Sequence, residues 1–146
     1  MRDGERRGGT VSVIAMVFAA LLASLTTLGA QQPPGTFSIV GYDSVSGEVG
    51  VAVQSRVFSV GNGVIWGEAG VGVVATQAIV DVSYGPQALA LLRQGLSPDE
   101  VVRRVLENDP DPRPDDWTKE GRQFSVMDAR GRVATHPGPK ATEWAG

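Results

Sequence analysis

The sequence has no cysteine and a single histidine, His136. Without cysteine there is no disulfide, no thiolate metal site and no lipid-modified cysteine, and one imidazole leaves a zinc ion short of ligands. Charge of neither sign dominates: 13 Lys and Arg face 16 Asp and Glu, for a net −3, and no basic stripe gathers the cations. A phosphate backbone would find no electrostatic footprint, which argues against nucleic acid as a partner. With 42% hydrophobic and 20% charged residues, the chain is neither disordered nor wholly membrane-embedded in character. What is plentiful is glycine. Nineteen glycines, many set among valines and alanines, favour short strands, tight turns and close backbone approach over long helices.

The first thirty residues read as an address. Arg2, Arg6 and Arg7 precede the almost wholly apolar run Val11 to Leu28, and Gly29-Ala30 then gives way to Gln31-Gln32-Pro33-Pro34. That order is a signal peptide for general secretion over residues 1–30, cut near Gly29 to Gln31. Gly8-Gly9 after the Arg6-Arg7 pair lack the bulky apolar residues of a folded-protein export signal. The apolar run of about 18 residues reaches the lower limit for a span, so an uncleaved segment would be the only membrane contact. Either way the remaining domain is expected outside the cytoplasm, in the periplasm or beyond.

After a short leader, residues 31–35, alternation sets in. Phe37 to Tyr42 and Val49 to Val53 flank the turn residues Asp43-Ser44-Val45-Ser46-Gly47, a β-hairpin. Gly61-Asn62-Gly63 reads as a break, Val64-Ile65-Trp66 as a short strand and Val71 to Gln77 as a fourth strand. From Pro86, Leu89, Leu92 and Leu96 mark one helical face ended by Gly95, and Ser97-Pro98-Asp99-Glu100 is a capping-box start for a helix through Leu106. Asn108 to Glu120, broken by Pro110, Pro112 and Pro114, reads as an exposed loop solvated by its aspartates. Phe124 to Asp128 and Arg132 to Thr135 form a second hairpin about Ala129-Arg130-Gly131. Two hairpins separated by helices suggest two stacked sheets with helices over an outer face, an α+β domain.

Several familiar patterns fail on context. Gly70-Val71-Gly72-Val73-Val74-Ala75 has the spacing of a dinucleotide-binding turn, yet it continues as strand where a helix should open. His136, in Thr135-His136-Pro137-Gly138, reads as a surface loop residue with no Gly-x-Ser-x-Gly turn to serve. Asp109, Asp111, Asp115 and Asp116 lack the central glycine of a calcium loop. Glu68 and Asp43 are candidate carboxylates for acid–base work, with Glu68 also a plain turn residue. No metal or cofactor is expected.

One resemblance covers residues 36–146. Thr36-Phe37-Ser38-Ile39-Val40, Gly47-Glu48-Val49-Gly50-Val51-Ala52-Val53, Ser55-Arg56, Trp66-Gly67-Glu68-Ala69-Gly70-Val71-Gly72, Ala75-Thr76-Gln77-Ala78 and Ser83-Tyr84-Gly85-Pro86 stand in the order of a single family. The chain resembles a widespread bacterial family of unknown function classed with the N-terminal-nucleophile (Ntn) hydrolases. The resemblance implies a four-layer αββα sandwich of two antiparallel sheets between helices. It also implies that family members continue past Trp144-Ala145-Gly146, so the chain is expected to be part of a longer protein whose sandwich it leaves incomplete.

In Ntn-hydrolases the first residue of the mature chain attacks through its hydroxyl or thiol while its own α-amine, with a pKa of about 8, takes the proton. The position that matches is Thr36, with Gly35 before it as a permissive residue to cut after. Arg56 is the second catalytic candidate, beside the amine or on a substrate carboxylate, and Ser55, Thr76 and Gln77 are candidate donors to an oxyanion or to substrate. Members of the family commonly carry the threonine directly after the initiator methionine, whereas this chain needs a second cut to free it. The expected substrate is a small-molecule or peptide amide. The alternative is a non-catalytic envelope binding module that keeps the fold, with Thr36 a β-branched residue starting a strand.

Overall fold

Alternating residues on either side of Asp43–Gly47 fold as the expected hairpin, β1 (Phe37–Tyr42) and β2 (Val49–Gln54), antiparallel with Phe37 opposite Gln54 and Tyr42 opposite Val49. The computed structural model describes residues 35–141. The expected signal peptide, residues 31–34 of the expected leader and Trp144 to Gly146 therefore lie outside the described residues. Asp43 makes the turn: its carboxylate accepts the Val45 amide at 2.8 Å, its carbonyl accepts the Gly47 amide at 2.8 Å, and Gly47 takes a left-handed φ of 74°.

Beyond β2 the loop 55–60 leads into a single helical turn, α1 (Gly61–Val64), then β3 (Ile65–Glu68) and β4 (Gly72–Ala78). The break read at Gly61-Asn62-Gly63 is thus a helical turn that takes Val64 away from the strand. Helices α2 (Tyr84–Arg93) and α3 (Pro98–Asn108) follow, and a 3₁₀ turn at Lys119–Gly121 precedes β5 (Arg122–Asp128) and β6 (Val133–His136). The second sheet runs β3-β4-β5-β6, antiparallel throughout. The fold is α+β, with two antiparallel sheets and three helices among the described residues.

Alternation assigns the faces. Val74, Phe124 and Val126 lie on one side of the larger sheet and join Tyr84, Ala88, Leu89 and Leu92 of α2 and Val101 and Val105 of α3 in a buried core, with Trp66 packed against it. Leu89 and Leu92 face inward as their spacing requires. The Ser97 hydroxyl caps α3 by accepting the Glu100 amide at 3.3 Å. The Glu100 carboxylate pairs instead with Arg103 and Arg104, so only half of the capping box forms.

The opposite row of the larger sheet, Val73, Ala75, Gln77 and Met127, is turned toward the hairpin; β1 lies over β4, and β2 over β3 and β4. Val73 to Thr76 continue as strand, as expected, within β4, while Gly70 and Val71 form the turn before it; Gly72 enters β4 with a φ of 151°, and a Cβ there would stand 2.2 Å from the Met127 carbonyl. On the far side of the hairpin, Phe37 and Ile39 are exposed, and side chains added at Gly41 and Gly50 would meet open space. A four-layer sandwich needs a helix layer on that face, and none of the described helices lies there.

Candidate functional site

The hairpin register brings its two ends together. Since Phe37 pairs with Gln54, Thr36 and Ser55 are the next cross-strand pair, and their hydroxyl oxygens are 2.8 Å apart and partly buried. The Ser55 hydroxyl also accepts the Val57 amide at 3.1 Å, which fixes the first bend of the 55–60 loop. Gly35 is exposed and has nothing within 4 Å of where a side chain would sit, so the Gly35–Thr36 peptide bond is approachable.

Of the remaining candidates, one shares this neighbourhood by fold and one does not. Gln77 lies near the end of β4 on the face turned to the hairpin, at the same end as Thr36, because residues 55–64 carry the chain from the end of β2 to Ile65 opposite Ala75. Its side-chain amide donates to the Gln123 carbonyl oxygen at 2.7 Å, while its own carbonyl oxygen is buried without a partner. Thr76 points the other way. It shares the Val74 row, is fully buried toward the helices, and its hydroxyl has no partner. Thr76 is therefore not grouped with Thr36 and Ser55. Arg56 is exposed beside Ser55 and joins no ion pair among the described residues.

A broad concavity lies elsewhere. About 930 Å³ in volume, it is lined mainly by the turn end of the hairpin, including Asp43 and Glu48, and by Ala69, Gly70 and Ala129. The Tyr42 ring lies against Gly131 of the β5–β6 turn, which puts this end opposite Thr36. This concavity therefore does not contain the Thr36–Ser55 hydroxyl pair.

The strongest electrostatic perturbations also lie away from Thr36. Asp109, expected to solvate a loop, is buried: its carboxylate accepts the Tyr84 hydroxyl and the Asp111 amide and lies 2.9 Å from Arg122 Nε. The Arg122 Nε–H is not aligned on that oxygen, so the pair is held by charge, while Nη1 donates to the Ile79 carbonyl at 2.9 Å. Burial alone would raise the Asp109 carboxyl, but the hydrogen bonds from Tyr84 and Asp111 and the charges of Arg122 and Lys119 outweigh it and hold it below the usual carboxylate range. Burial, and then the bond to Asp109, push the Tyr84 phenol far up, so it stays a donor. This is a bolt between α2, the loop after α3 and β5.

His136 is likewise no loop residue. It ends β6 opposite Phe124, is partly buried with Nε2 unpartnered, and burial lowers its pKa. Glu68 closes β3 in an exposed bidentate pair with Arg93, at the end of the molecule that also holds Asp43. Neither Glu68 nor Asp43 is drawn toward Thr36. Among the described residues no cluster of His, Asp and Glu is arranged to hold a metal.

Residues 36–146 match the model of a family of unknown function, DUF1028. The chain belongs to that family. A solved DUF1028 structure, protein SPO2555 from Silicibacter pomeroyi, is similar at 28% identity with a TM-score of 0.65, over 75% of this chain and 48% of that one. The chain therefore spans about half the length of that DUF1028 relative. No curated protein matches.

Proposed function

We propose that this DUF1028 chain is an exported amidohydrolase of the Ntn type, acting through Thr36 once the bond after Gly35 is cut. The observation that carries the reading is the Thr36–Ser55 hydroxyl pair at 2.8 Å beside the exposed Gly35. In the reaction, the Thr36 Oγ attacks the amide carbonyl carbon and its proton passes to the Thr36 α-amine. The tetrahedral intermediate collapses with loss of the substrate amine, which takes that proton, and an ester remains on Thr36. Water, deprotonated by the same α-amine, then releases the acid and restores the hydroxyl. Ser55, itself held by the Val57 amide, sets the direction of the Thr36 Oγ, and the exposed Arg56 is available to a substrate carboxylate. The resemblance to Ntn-hydrolases read from the sequence and the signal-like N-terminus support the same reading.

The test is the mature N-terminus, read by mass spectrometry on protein secreted from a bacterial host, for wild type and Thr36→Ala. A wild-type chain beginning at Thr36, with the variant retained near Gln31, is the expected result. A second reading, an envelope binding module, is favoured by a concavity of about 930 Å³ lying at the opposite end from Thr36. It predicts that both chains begin near Gln31 and that Thr36→Ala changes nothing measurable.

A further inference from the structure

The Thr36 end of the molecule is edged by apolar side chains that the fold does not bury. Phe58 is 98% exposed, and Val57 and Val82 are each 60% exposed. The fold brings these segments to one end. Val57 and Phe58 follow Ser55 in the loop that its hydroxyl pins, and Val82 lies against α1, its Cγ1 3.4 Å from where a Gly63 side chain would begin. Isolated exposed valines are ordinary, but an aromatic ring almost wholly in water, in the loop that Ser55 pins, is not.

The backbone next to these side chains includes two left-handed residues. Ser59, immediately after Phe58, has a φ of 58°, and Ala78, where β4 gives way to the Val82 loop, has a φ of 66°. Both lie in the left-handed region that side chains disfavour, and such strain persists only where surrounding structure imposes it. At Ser59 the Asn62 amide donates to the Ser59 hydroxyl at 2.9 Å, fixing the turn that presents Phe58.

We propose that this rim receives the acyl part of the substrate, so that the amides cleaved at Thr36 are those of medium- or long-chain apolar carboxylic acids. The inference rests on the nucleophile reading above. An acyl chain extending from the carbonyl bound at Thr36 would cover Phe58 and Val57 and remove apolar surface from water. Short acyl groups would leave the rim wet and bind weakly.

The test uses the acid product, so that turnover is not needed. Full-length secreted wild type is titrated calorimetrically with octanoate and with acetate, alongside Phe58→Ser and, as a control at the far turn, Val45→Ser. Octanoate should bind at least tenfold more tightly than acetate, Phe58→Ser should remove most of that difference, and Val45→Ser should keep it. Equal affinities overturn the proposal, as does an octanoate preference that Phe58→Ser leaves intact; a Phe58 covered by a second copy of the chain gives the first of these results. Mass spectrometry on the same samples separates the two readings. A chain that begins at Thr36 but shows no preference keeps the nucleophile and loses the acyl rim. A chain that retains its leader yet prefers octanoate through Phe58 keeps the rim as a binding site and loses the nucleophile.

Discussion

Asp109 shows how a single residue can be read correctly as an aspartate and wrongly as a surface. Its neighbours Pro110, Pro112 and Pro114 mark a loop, and loops are generally solvated. The residue is nevertheless fully inside, because Tyr84 and Arg122 meet it there. Removing one partner of such a pair leaves the other charge buried and uncompensated, so Asp109→Ala should destabilise by about 3–5 kcal/mol in urea unfolding at neutral pH. The pH dependence has a definite sign. The Asp109 carboxyl is held below its unfolded value, so the unfolded chain takes up the proton first as pH falls. Its contribution is complete above about pH 4, the unfolded carboxyl value, and is lost as pH falls through the folded one. Wild type should therefore lose stability as pH falls below about 4 more steeply than Asp109→Asn; parallel profiles would show that the bolt does not carry the acid sensitivity.

At the scale of elements, one helix rests on one ring. A Cβ built at Gly85, in the first turn of α2, would come within 2.0 Å of the Trp66 indole on β3. Alanine is the better helix former by about 1 kcal/mol, whereas overpacking a closed contact costs about 1–3 kcal/mol. Trp66 packs against the core and Gly85 is itself buried, so the steric term wins. Gly85→Ala should lower the melting temperature, and a rise would mean that α2 can lift off Trp66 freely. Most elements were legible in the sequence because alternation, the Asp43 turn and the Ser97 cap are local signals. Helix α1 was not, since Gly61-Asn62-Gly63 has poor helix propensity and only the path from β2 to β3 makes it turn. The Asp109–Arg122 contact was hidden for a related reason: it joins residues that only the folded β5 brings together. At the site, Thr36 and Ser55 were legible as opposite ends of one hairpin. Thr76 and Gln77 are adjacent in a strand and must point to opposite faces, so the sequence itself already forbade placing both in one site.

Across the whole molecule, stability should be unevenly distributed. Strands β4 and β5 each have a neighbour on both sides, and their Val74, Phe124 and Val126 side chains are buried beneath α2 and α3. Strands β1 and β2 have only each other in their sheet, and their outer row, Phe37 and Ile39, is exposed. A two-stranded hairpin is marginal by itself and gains protection only from what it packs against. Here one face of it rests on the larger sheet. Native-state hydrogen exchange should accordingly find the β4 and β5 amides opening only with global unfolding, and the β1 and β2 amides exchanging through a lower-energy local opening. The distinction bears on function, because Thr36 sits at the end of the less protected hairpin and its alignment with Ser55 depends on that hairpin staying closed. If β1 and β2 are instead as well protected as β4 and β5, something in solution covers the Phe37 and Ile39 face, and Thr36 is held as firmly as the core.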